Sequence, residues 1–468
     1  MNWAEEEMCE ANLGDERLNN RLKNLLTVLS QSPTQSIPTA CGGWAETKAA
    51  YCFFANRKVS ADKILTPHFT ASIERIKQHP VVLLLQDTTS LNFTGQSQRE
   101  DIGPINHEKH LGILLHPTIA VTPDRLCLGV MDTHHWARKQ LHHRFPGEKS
   151  KVNHKIPLAD KESYRWLRGY QKAQEIATQV PQVKIISVAD REGDLYDVYY
   201  EEKLNQTHHI TARWLIRAKT NRKLVDENNA LQQEKLIETV KKSQPIGYME
   251  FELPSRKKQQ KRIVKQVIYV STVRLSLPDR KRKKKCYPSV ETQVVIASEL
   301  NAPPGQTPLE WILLTDIEIN NKKQAQDIVK WYLCRWQIEV YFRVLKSGCR
   351  IEKLQLETKD RFDACLAMYM IIAWRILYLT FITRLCPSLP CNHLFTQEEW
   401  HMIYIMVYRK KPSKKPPPLS LIMNIMAQFG GYLNRKGDIS PGPTAIWIGL
   451  QRVKDFIMAK QALIEANY

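Results

Sequence analysis

The chain has 468 residues, which predicts about three domains at roughly 150 residues per domain. Its 68 Lys and Arg residues outnumber 48 Asp and Glu residues, giving a formal net charge of +20. Such an excess is typical of a protein with a polyanionic partner, most simply nucleic acid. The ten cysteines contain no C-x-x-C pair, a pattern that supports neither a zinc finger nor a disulfide framework. The acidic first residues do not resemble a signal peptide, so we expect a cytoplasmic protein.

The first sixty-odd residues show helical periodicity. Leucines recur at helical spacing after Asp15, which we expect to cap the helix that follows. Arg17, Arg21 and Lys23 fall on the solvent side of that helix. For these cations alone, an ordinary solvated face explains the pattern.

Apolar runs from residue 80 onwards predict β-strands, and two of them stop at a carboxylate, namely Val81–Asp87 and Val183–Asp190. A turn at residues 123–125 predicts a hairpin, and Lys161–Thr178 predicts a helix. The other predicted strands are Leu111–Thr122, Leu126–Asp132, His209–Ala218, Tyr248–Leu253, Ile263–Val273, Thr292–Ser298 and Trp311–Leu314.

The region from about residue 222 to 310 is predicted to be a β-rich insertion, because it contains short alternating runs. Two basic clusters, residues 256–258 and 280–285, interrupt these runs and predict cationic loops. Lys323–Lys346 predicts one long amphipathic helix. Beyond Cys386 the chain is rich in proline and lysine, and it ends in a predicted helix over Thr444–Ala466.

The run Cys365–Ile382 is apolar enough to be considered as a membrane span. Arg375 lies in its middle, where a charge is costly in a bilayer, and there is no second such run. We therefore expect a buried core helix, with a membrane-associated protein as the alternative.

Asp87 and Asp190 are the best candidates for functional acids, because each ends an apolar strand at the sheet edge where α/β proteins commonly bind ligands. A turn or helix-capping role explains either residue equally well by itself. Asp316 follows a third apolar run, and Glu192 and Asp194 compete locally with Asp190.

The predicted helix at 323–346 places one acid among cations. On a helical wheel five of its polar side chains fall within about 80°: Tyr332, Arg335, Glu339, Arg343 and Lys346. The opposite side carries Cys334, Ile338, Phe342 and Leu345, which we expect to be buried. The polar face fits a phosphate-binding surface with one metal ligand, although a plain Arg335–Glu339 ion pair is the simpler explanation.

Acids and cations together suit phosphodiester chemistry. In-line hydrolysis is assisted by two divalent ions about 3.5–4 Å apart. Mg²⁺ prefers carboxylate, water and phosphate oxygens as ligands.

The spacing Y332-x2-R335-x3-E339-x6-K346 resembles the signature of bacterial insertion-sequence transposases of the IS4 group. With VVLLLQDTTSL around Asp87 and ISVADREGD around Asp190, the chain resembles a Tn5-type DDE transposase over nearly its whole length. The resemblance implies an α/β fold: a ribonuclease-H-like catalytic core with a β-rich insertion, between helical N-terminal and C-terminal domains.

The resemblance also implies site residues. Asp87, Asp190 and Glu339 would be the catalytic metal ligands for two Mg²⁺ ions, for which Mn²⁺ is expected to substitute. Tyr332, Arg335, Arg343 and Lys346 would contact DNA phosphates. Trp311 would stack on a flipped base, with a core tryptophan as the alternative. Further DNA contacts are implied at Arg217, Lys219, Arg222, Arg17 and Arg21.

The function implied is cut-and-paste DNA transposition by a homodimer that binds terminal inverted repeats and target DNA, with a hairpin intermediate. We expect a DNA-binding domain at 1–65, the core at 66–385 with its insertion at about 222–310, and a dimerisation domain at 386–468. The alternative is a catalytically inactive DNA-binding relative that represses transposition.

Overall fold

The computed structural model describes residues 2–96, 99–107, 109–139, 157–205, 211–253, 262–278 and 289–466. The α-helices, α1 to α14 in chain order, are Trp3–Glu7, Glu16–Gln31, Ile37–Cys41, Trp44–Phe54, Ala61–Ile76, Tyr164–Gln179, Tyr196–Asn205, Leu236–Lys241, Lys322–Cys334, Trp336–Arg343, Lys359–Leu385, Gln397–Tyr408, Leu419–Phe429 and Pro443–Glu465. The strands, β1 to β13, are Val81–Gln86, Thr89–Asn92, Gly103–Pro104, Leu111–Val121, Cys127–Trp136, Lys184–Ala189, Arg213–Arg217, Lys223–Val225, Leu231–Lys235, Gly247–Leu253, Arg262–Leu275, Val290–Glu299 and Glu310–Thr315.

The chain divides into two compact units. Unit 1 contains Met1–Gln78, Thr88–His143 and Gln337–Tyr468. Unit 2 contains His79–Asp87 and Arg144–Trp336. Both are assembled from segments distant in sequence, and the domain boundaries expected from the sequence stay a prediction.

Unit 1 is built around α11, a 27-residue helix. In the part of the chain that the structure describes, α11 is the one helix long and apolar enough to cross a membrane, and 89% of its apolar window is buried inside the protein. Arg375 is buried in the middle of α11, where its Nη2 donates to the Leu394 carbonyl oxygen at 2.8 Å. The expectation of a buried core helix is confirmed.

A charged network is also buried in unit 1. Both guanidinium Nη atoms of Arg75 donate to the Glu7 carboxylate, at 2.8 and 2.9 Å. His68 is fully buried; its Nε2 accepts from the Val130 amide at 2.9 Å, so its Nδ1 carries the proton shared with Glu7 at 2.5 Å. This network joins α1 and α5 to β5, and it stabilises the unit only while Glu7 is ionised.

Unit 2 contains a sheet in the order β1-β6-β7-β13-β12-β11, after which β11 also pairs with β8 and β10. The β1–β6 and β6–β7 pairs are parallel, whereas β7–β13, β12–β13 and β11–β12 are antiparallel. Strands of the predicted β-rich insertion therefore extend the same sheet beyond β13. In unit 1, β4 and β5 form the predicted antiparallel hairpin.

The single helix expected over 323–346 is wrong. Helix α9 ends at Cys334 and α10 begins at Trp336, and a π-helical turn follows at Val344–Gly348. Two helices in the C-terminal region, α12 and α13, were not predicted, because the flanking prolines and lysines obscure their short apolar repeats. The two basic clusters of the insertion lie outside the described residues.

Candidate active site

Asp87 and Asp190 lie side by side at the ends of two parallel strands. The register of β1 and β6 pairs Leu85 with Val188, so two residues further along Asp87 is level with Asp190. Parallel strands run about 4.8 Å apart, and their carboxyl ends form one edge. Unit 2 therefore brings together two acids that are 103 positions apart in the sequence.

The two strand ends are held in register from within the sheet. Gln86, which precedes Asp87, is 1% exposed, and its Nε2 donates to Ser187 Oγ on β6 at 2.7 Å. Helix α6 packs closely behind this contact, since a Cβ atom on Gly169 would lie 2.1 Å from Gln86 Oε1. The absent side chain at Gly169 is thus required for the helix to approach the strand.

Asp190 also ends its strand by capping a short helical turn. Its Oδ1 accepts from the Glu192 amide at 2.8 Å, at the start of a 3-10 turn over Arg191–Gly193. The capping role considered as the alternative is therefore real, but it uses one carboxylate oxygen and leaves the side chain half-buried at the edge.

Arg335 contacts Asp87 directly. Its Nη1 lies 2.8 Å from Asp87 Oδ2, and the two side chains are 9% and 20% exposed. The guanidinium also lies over the Trp336 ring, 5.5 Å from its centroid. Arg335 is the residue between α9 and α10, and its backbone keeps right-handed helical angles.

Two members of the predicted phosphate-binding face are buried, and their contact with DNA stays a prediction. Tyr332 is 3% exposed and Arg335 is 8% exposed, so neither side chain forms a solvent face in this structure. Arg335 keeps helical backbone angles, and its side chain is buried because it packs against Asp87. The apolar side of the same segment is buried as predicted, with these members: Cys334, Ile338, Phe342 and Leu345.

Glu339 lies in unit 1, on α10, and is half-buried. Arg343 at the end of α10 is exposed. Lys346 lies in the π-helical turn, and its Nζ is 3.7 Å from Glu352 Oε1. Within either unit taken by itself, the described residues include no group of three His, Cys, Asp or Glu side chains that could hold a metal ion.

The rival acid Asp194 has a structural role. Its side chain is fully buried and forms an ion pair with Arg222, whose side chain is 15% exposed. Tyr199 Oη and the Lys219 amide also donate to Asp194. Arg222 therefore neutralises a buried carboxylate, and its contact with DNA stays a prediction; the Lys219 side chain is exposed.

The other two rival acids are also engaged. Asp316 accepts from the Trp214 amide at 2.8 Å and lies 3.3 Å from Arg213. Glu192 pairs with Arg165 at 2.5 Å on the surface. Both contacts are consistent with structural roles and leave Asp87 and Asp190 as the strand-end pair.

Trp311 is buried in unit 2. It is 9% exposed, and its ring is stacked on Phe251 with centroids 5.6 Å apart and an interplanar angle of 28°. The structure thus favours the core-tryptophan alternative, and base stacking stays a prediction. Arg217 on the neighbouring β7 donates to the Glu310 carbonyl oxygen at 3.4 Å.

The N-terminal cations are on the surface of α2. Asp15 accepts from the Arg17 amide as the predicted cap, and the Arg17 side chain is 92% exposed. Arg21 pairs with Glu46 at 2.7 Å, with both side chains accessible. These positions are open to a ligand, and their role in recognising DNA ends stays a prediction.

Three family profiles match the chain in consecutive segments. They are described as transposase DNA-binding over residues 1–59, transposase DDE domain over 197–375, and transposase Tn5 dimerisation domain over 371–464. The chain belongs to the Tn5-like DDE transposases. The expected α/β fold with a ribonuclease-H-like core and helical terminal regions is confirmed. The DDE match begins after Asp190, so the choice of Asp87 and Asp190 rests on the geometry of β1 and β6.

Among solved structures, this Tn5-like chain is similar to a piggyBac transposase synaptic complex with hairpin DNA, determined by cryo-EM. The identity is 11%, the match covers 69% of this chain and 52% of that chain, and the TM-score is 0.30. The chain thus spans about half the length of that neighbour.

The donor atoms in unit 2 fit a divalent metal. Two adjacent carboxylates supply the hard oxygen ligands that Mg²⁺ prefers, and a cation already lies against one of them, since Arg335 contacts Asp87. Sequence reasoning missed this ion pair and the Asp194–Arg222 pair. No local pattern indicates the first, because its partners are 248 residues apart.

Proposed function

We propose that this protein is a metal-dependent DNA transposase that excises and inserts a mobile element by a cut-and-paste route. The observation that carries the proposal is the alignment of Asp87 with Asp190 at the ends of parallel strands in a chain of the DDE family. Two carboxylates fixed by one sheet edge are suited to holding a divalent ion rigidly. The net charge of +20 suits a DNA substrate.

In the proposed site, Asp87, Asp190 and Glu339 hold two Mg²⁺ ions, for which Mn²⁺ can substitute. When bound, such an ion pair lowers the pKa of the attacking water and stabilises the leaving oxygen. The chain itself contributes rigidity: the Gln86–Ser187 hydrogen bond and the capped turn after Asp190 fix both carboxylates. Arg343 and Lys346 follow Glu339 in sequence and are proposed to contact DNA phosphates.

The route after the first nick is proposed from the family resemblance. A freed 3′-OH attacks the phosphodiester of the opposite strand, forming a hairpin and releasing the oxygen of the flanking DNA strand. Water then reopens the hairpin, and the new 3′-OH joins target DNA. In this proposal Trp311 stacks on a flipped base, which requires its ring to leave Phe251.

The roles of the three domains are also proposed from the family resemblance. The DNA-binding domain at 1–65 recognises the inverted repeats through Arg17 and Arg21. The core at 66–385 cuts them, and Arg217 and Lys219 bind DNA beside it. The region at 386–468 joins two copies of the chain, so that both ends of the element are held together.

Replacing Glu339 tests the catalytic assignment. We expect Glu339→Ala to abolish Mg²⁺-dependent nicking of a labelled transposon end, because one ligand of the site is lost, while end binding stays nearly unchanged. Glu357→Ala, at an exposed acid paired with Arg361, is the matched control and should cut normally. Cleavage by Glu339→Ala would overturn the assignment. Wild-type protein that binds ends but cuts in neither Mg²⁺ nor Mn²⁺ would indicate the inactive relative instead.

A further inference from the structure

The ion pair between Arg335 and Asp87 occupies a position that the proposed function reserves for a metal. Asp87 Oδ2 is the oxygen 2.8 Å from Arg335 Nη1, and this carboxylate is one of the two aligned strand-end acids. Two adjacent carboxylates repel each other when both are ionised. A guanidinium beside one of them reduces that repulsion without a metal ion.

We propose that Arg335 is a positioning residue with two alternative contacts. It pairs with Asp87 before a divalent ion binds, and it contacts a DNA phosphate afterwards. It holds the Asp87 carboxylate while the site contains no divalent ion, and it releases that carboxylate when the ion binds. The proposal rests on the proposed function, because it takes Asp87 as a metal ligand.

The exchange follows from charge and geometry. A divalent cation bound to Asp87 Oδ2 would stand within a few ångströms of the Arg335 guanidinium, and like charges at that separation repel strongly in a partly buried site. The guanidinium is permanently charged, so it cannot avoid this repulsion by losing a proton. It must move away, and binding of the ion is therefore opposed by the cost of breaking the ion pair.

The local structure allows such a movement. Arg335 is the single residue between α9 and α10, and its amide donates to the Tyr332 carbonyl oxygen at 3.0 Å, three residues back instead of the regular four. Its guanidinium rests on Trp336, a side chain that is 43% exposed. Rotation of the Arg335 side chain therefore brings the guanidinium toward solvent. There its coplanar N–H groups can donate to two oxygens of one DNA phosphate.

This exchange accounts for two observations that otherwise conflict. The family signature implies that Arg335 contacts phosphate, yet the structure buries it against Asp87. If metal binding releases the Arg335 side chain, the residue contacts Asp87 before the metal binds and phosphate after it. In this proposal the cation that neutralises Asp87 before a metal binds becomes a DNA contact afterwards.

The test measures Mn²⁺ binding to the full-length protein without DNA, by calorimetry. Arg335→Gln removes the competing charge, and we expect it to bind Mn²⁺ about tenfold more tightly than wild type, equivalent to roughly 1.4 kcal/mol. Arg335→Lys keeps the charge and should stay near wild type. Arg274→Gln is the control for loss of a cation in unit 2, because Arg274 on β11 pairs with Glu291 on β12; the Mn²⁺ affinity of this variant should equal that of wild type.

A second measurement uses the wild-type side chain, in case Arg335→Gln fails to fold. Mn²⁺ binding should change the fluorescence of Trp336 as the guanidinium leaves its ring, and Cd²⁺ or Ca²⁺ can confirm that the change is not paramagnetic quenching. The change should be absent from Trp336→Phe, which keeps the other ten tryptophans. A metal-induced change of equal size in both proteins would overturn the exchange.

The outcomes separate this inference from the function on which it rests. Mn²⁺ binding that requires Asp87 and Asp190 but is equal in wild type and Arg335→Gln overturns the exchange alone. Absence of binding in wild type and in Arg335→Gln overturns the metal site as well. Tighter binding in Arg335→Gln that is lost in the double variant Arg335→Gln/Asp87→Asn supports both.

Discussion

Arg222 and Lys219 are neighbouring cations on one short segment, and the structure gives them different roles. Arg222 forms an ion pair with the fully buried Asp194, while the Lys219 side chain is exposed and only its backbone amide donates to that acid. The family resemblance implied a DNA contact for both residues. Burial of the partner carboxylate is what distinguishes them.

We predict that Arg222→Gln lowers the free energy of unfolding by about 3–5 kcal/mol, because Asp194 keeps its buried charge and loses its counter-ion. Lys219→Gln should change that free energy by less than about 0.5 kcal/mol. It should instead reduce the salt slope of DNA binding by about one unit. Urea denaturation and binding at several salt concentrations measure both effects. A fully stable Arg222→Gln protein with a reduced salt slope would restore its role as a DNA contact.

Glu7 provides a pH-dependent prediction. Burial by itself raises the pKa of Glu7, but the hydrogen bonds from His68 and Arg75 and the charge of Arg75 outweigh it and lower the pKa from 4.5 to about 2. Since the folded pKa lies below the unfolded one, the stabilisation is complete above roughly pH 4.5. It declines as the pH falls toward about 2, where the folded state is also protonated.

Glu7→Gln should therefore lower the free energy of unfolding at pH 7 by about 3–5 kcal/mol and flatten the decline between pH 4.5 and 2. Unfolding in urea across that pH range measures the effect. Glu6→Gln, at the exposed neighbouring acid, is the control. A variant whose acid decline is as steep as that of wild type would show that Glu7 is not the titrating group.

At the scale of elements, the candidate site depends on how closely α6 approaches β1. Gly169 on α6 leaves room for Gln86, and Gln86 ties β1 to β6 beside both strand-end acids. The packing of one helix thus determines the position of Asp87. A glycine in a helix interior costs stability relative to alanine, which indicates that the close approach outweighs this cost.

We predict that Gly169→Ala lowers the free energy of unfolding by about 1–3 kcal/mol through overpacking and reduces DNA cleavage more than DNA binding. Gly442→Ala is the control, because a Cβ there meets nothing within 4 Å. Adding Gln86→Ala to Gly169→Ala relieves the clash, so the two changes should be non-additive in stability. Strictly additive effects in thermal unfolding would contradict the contact.

At the scale of the whole molecule, the C-terminal helix α14 leaves apolar side chains in solvent. Met458, Leu463 and Ile464 are 48%, 54% and 60% exposed near its end, within the segment that matches the Tn5 dimerisation domain. Exposed apolar side chains clustered on one element indicate a protein partner. A second copy of this chain is the partner that the family match favours.

Leu463→Asp should therefore abolish dimers on transposon-end DNA, because a charge would be buried at the centre of the contact. Sedimentation of the DNA complexes measures their stoichiometry. Gln461→Asp introduces the same charge at a polar exposed position of α14 and should leave dimers intact. Equal dimer formation by the two variants would place the interface elsewhere.

Local sequence patterns were enough to predict the strands that end in Asp87 and Asp190, the β4–β5 hairpin, the buried helix α11 and the family. Each of these is encoded by local periodicity or by a short motif, so neighbouring residues carry the information. Only the tertiary structure decided that Arg335 faces Asp87, that Arg222 belongs to Asp194 and that Trp311 is buried on Phe251. Those partners are distant in the chain, and whether a charged side chain meets DNA, a metal or a buried acid depends on what packs against it.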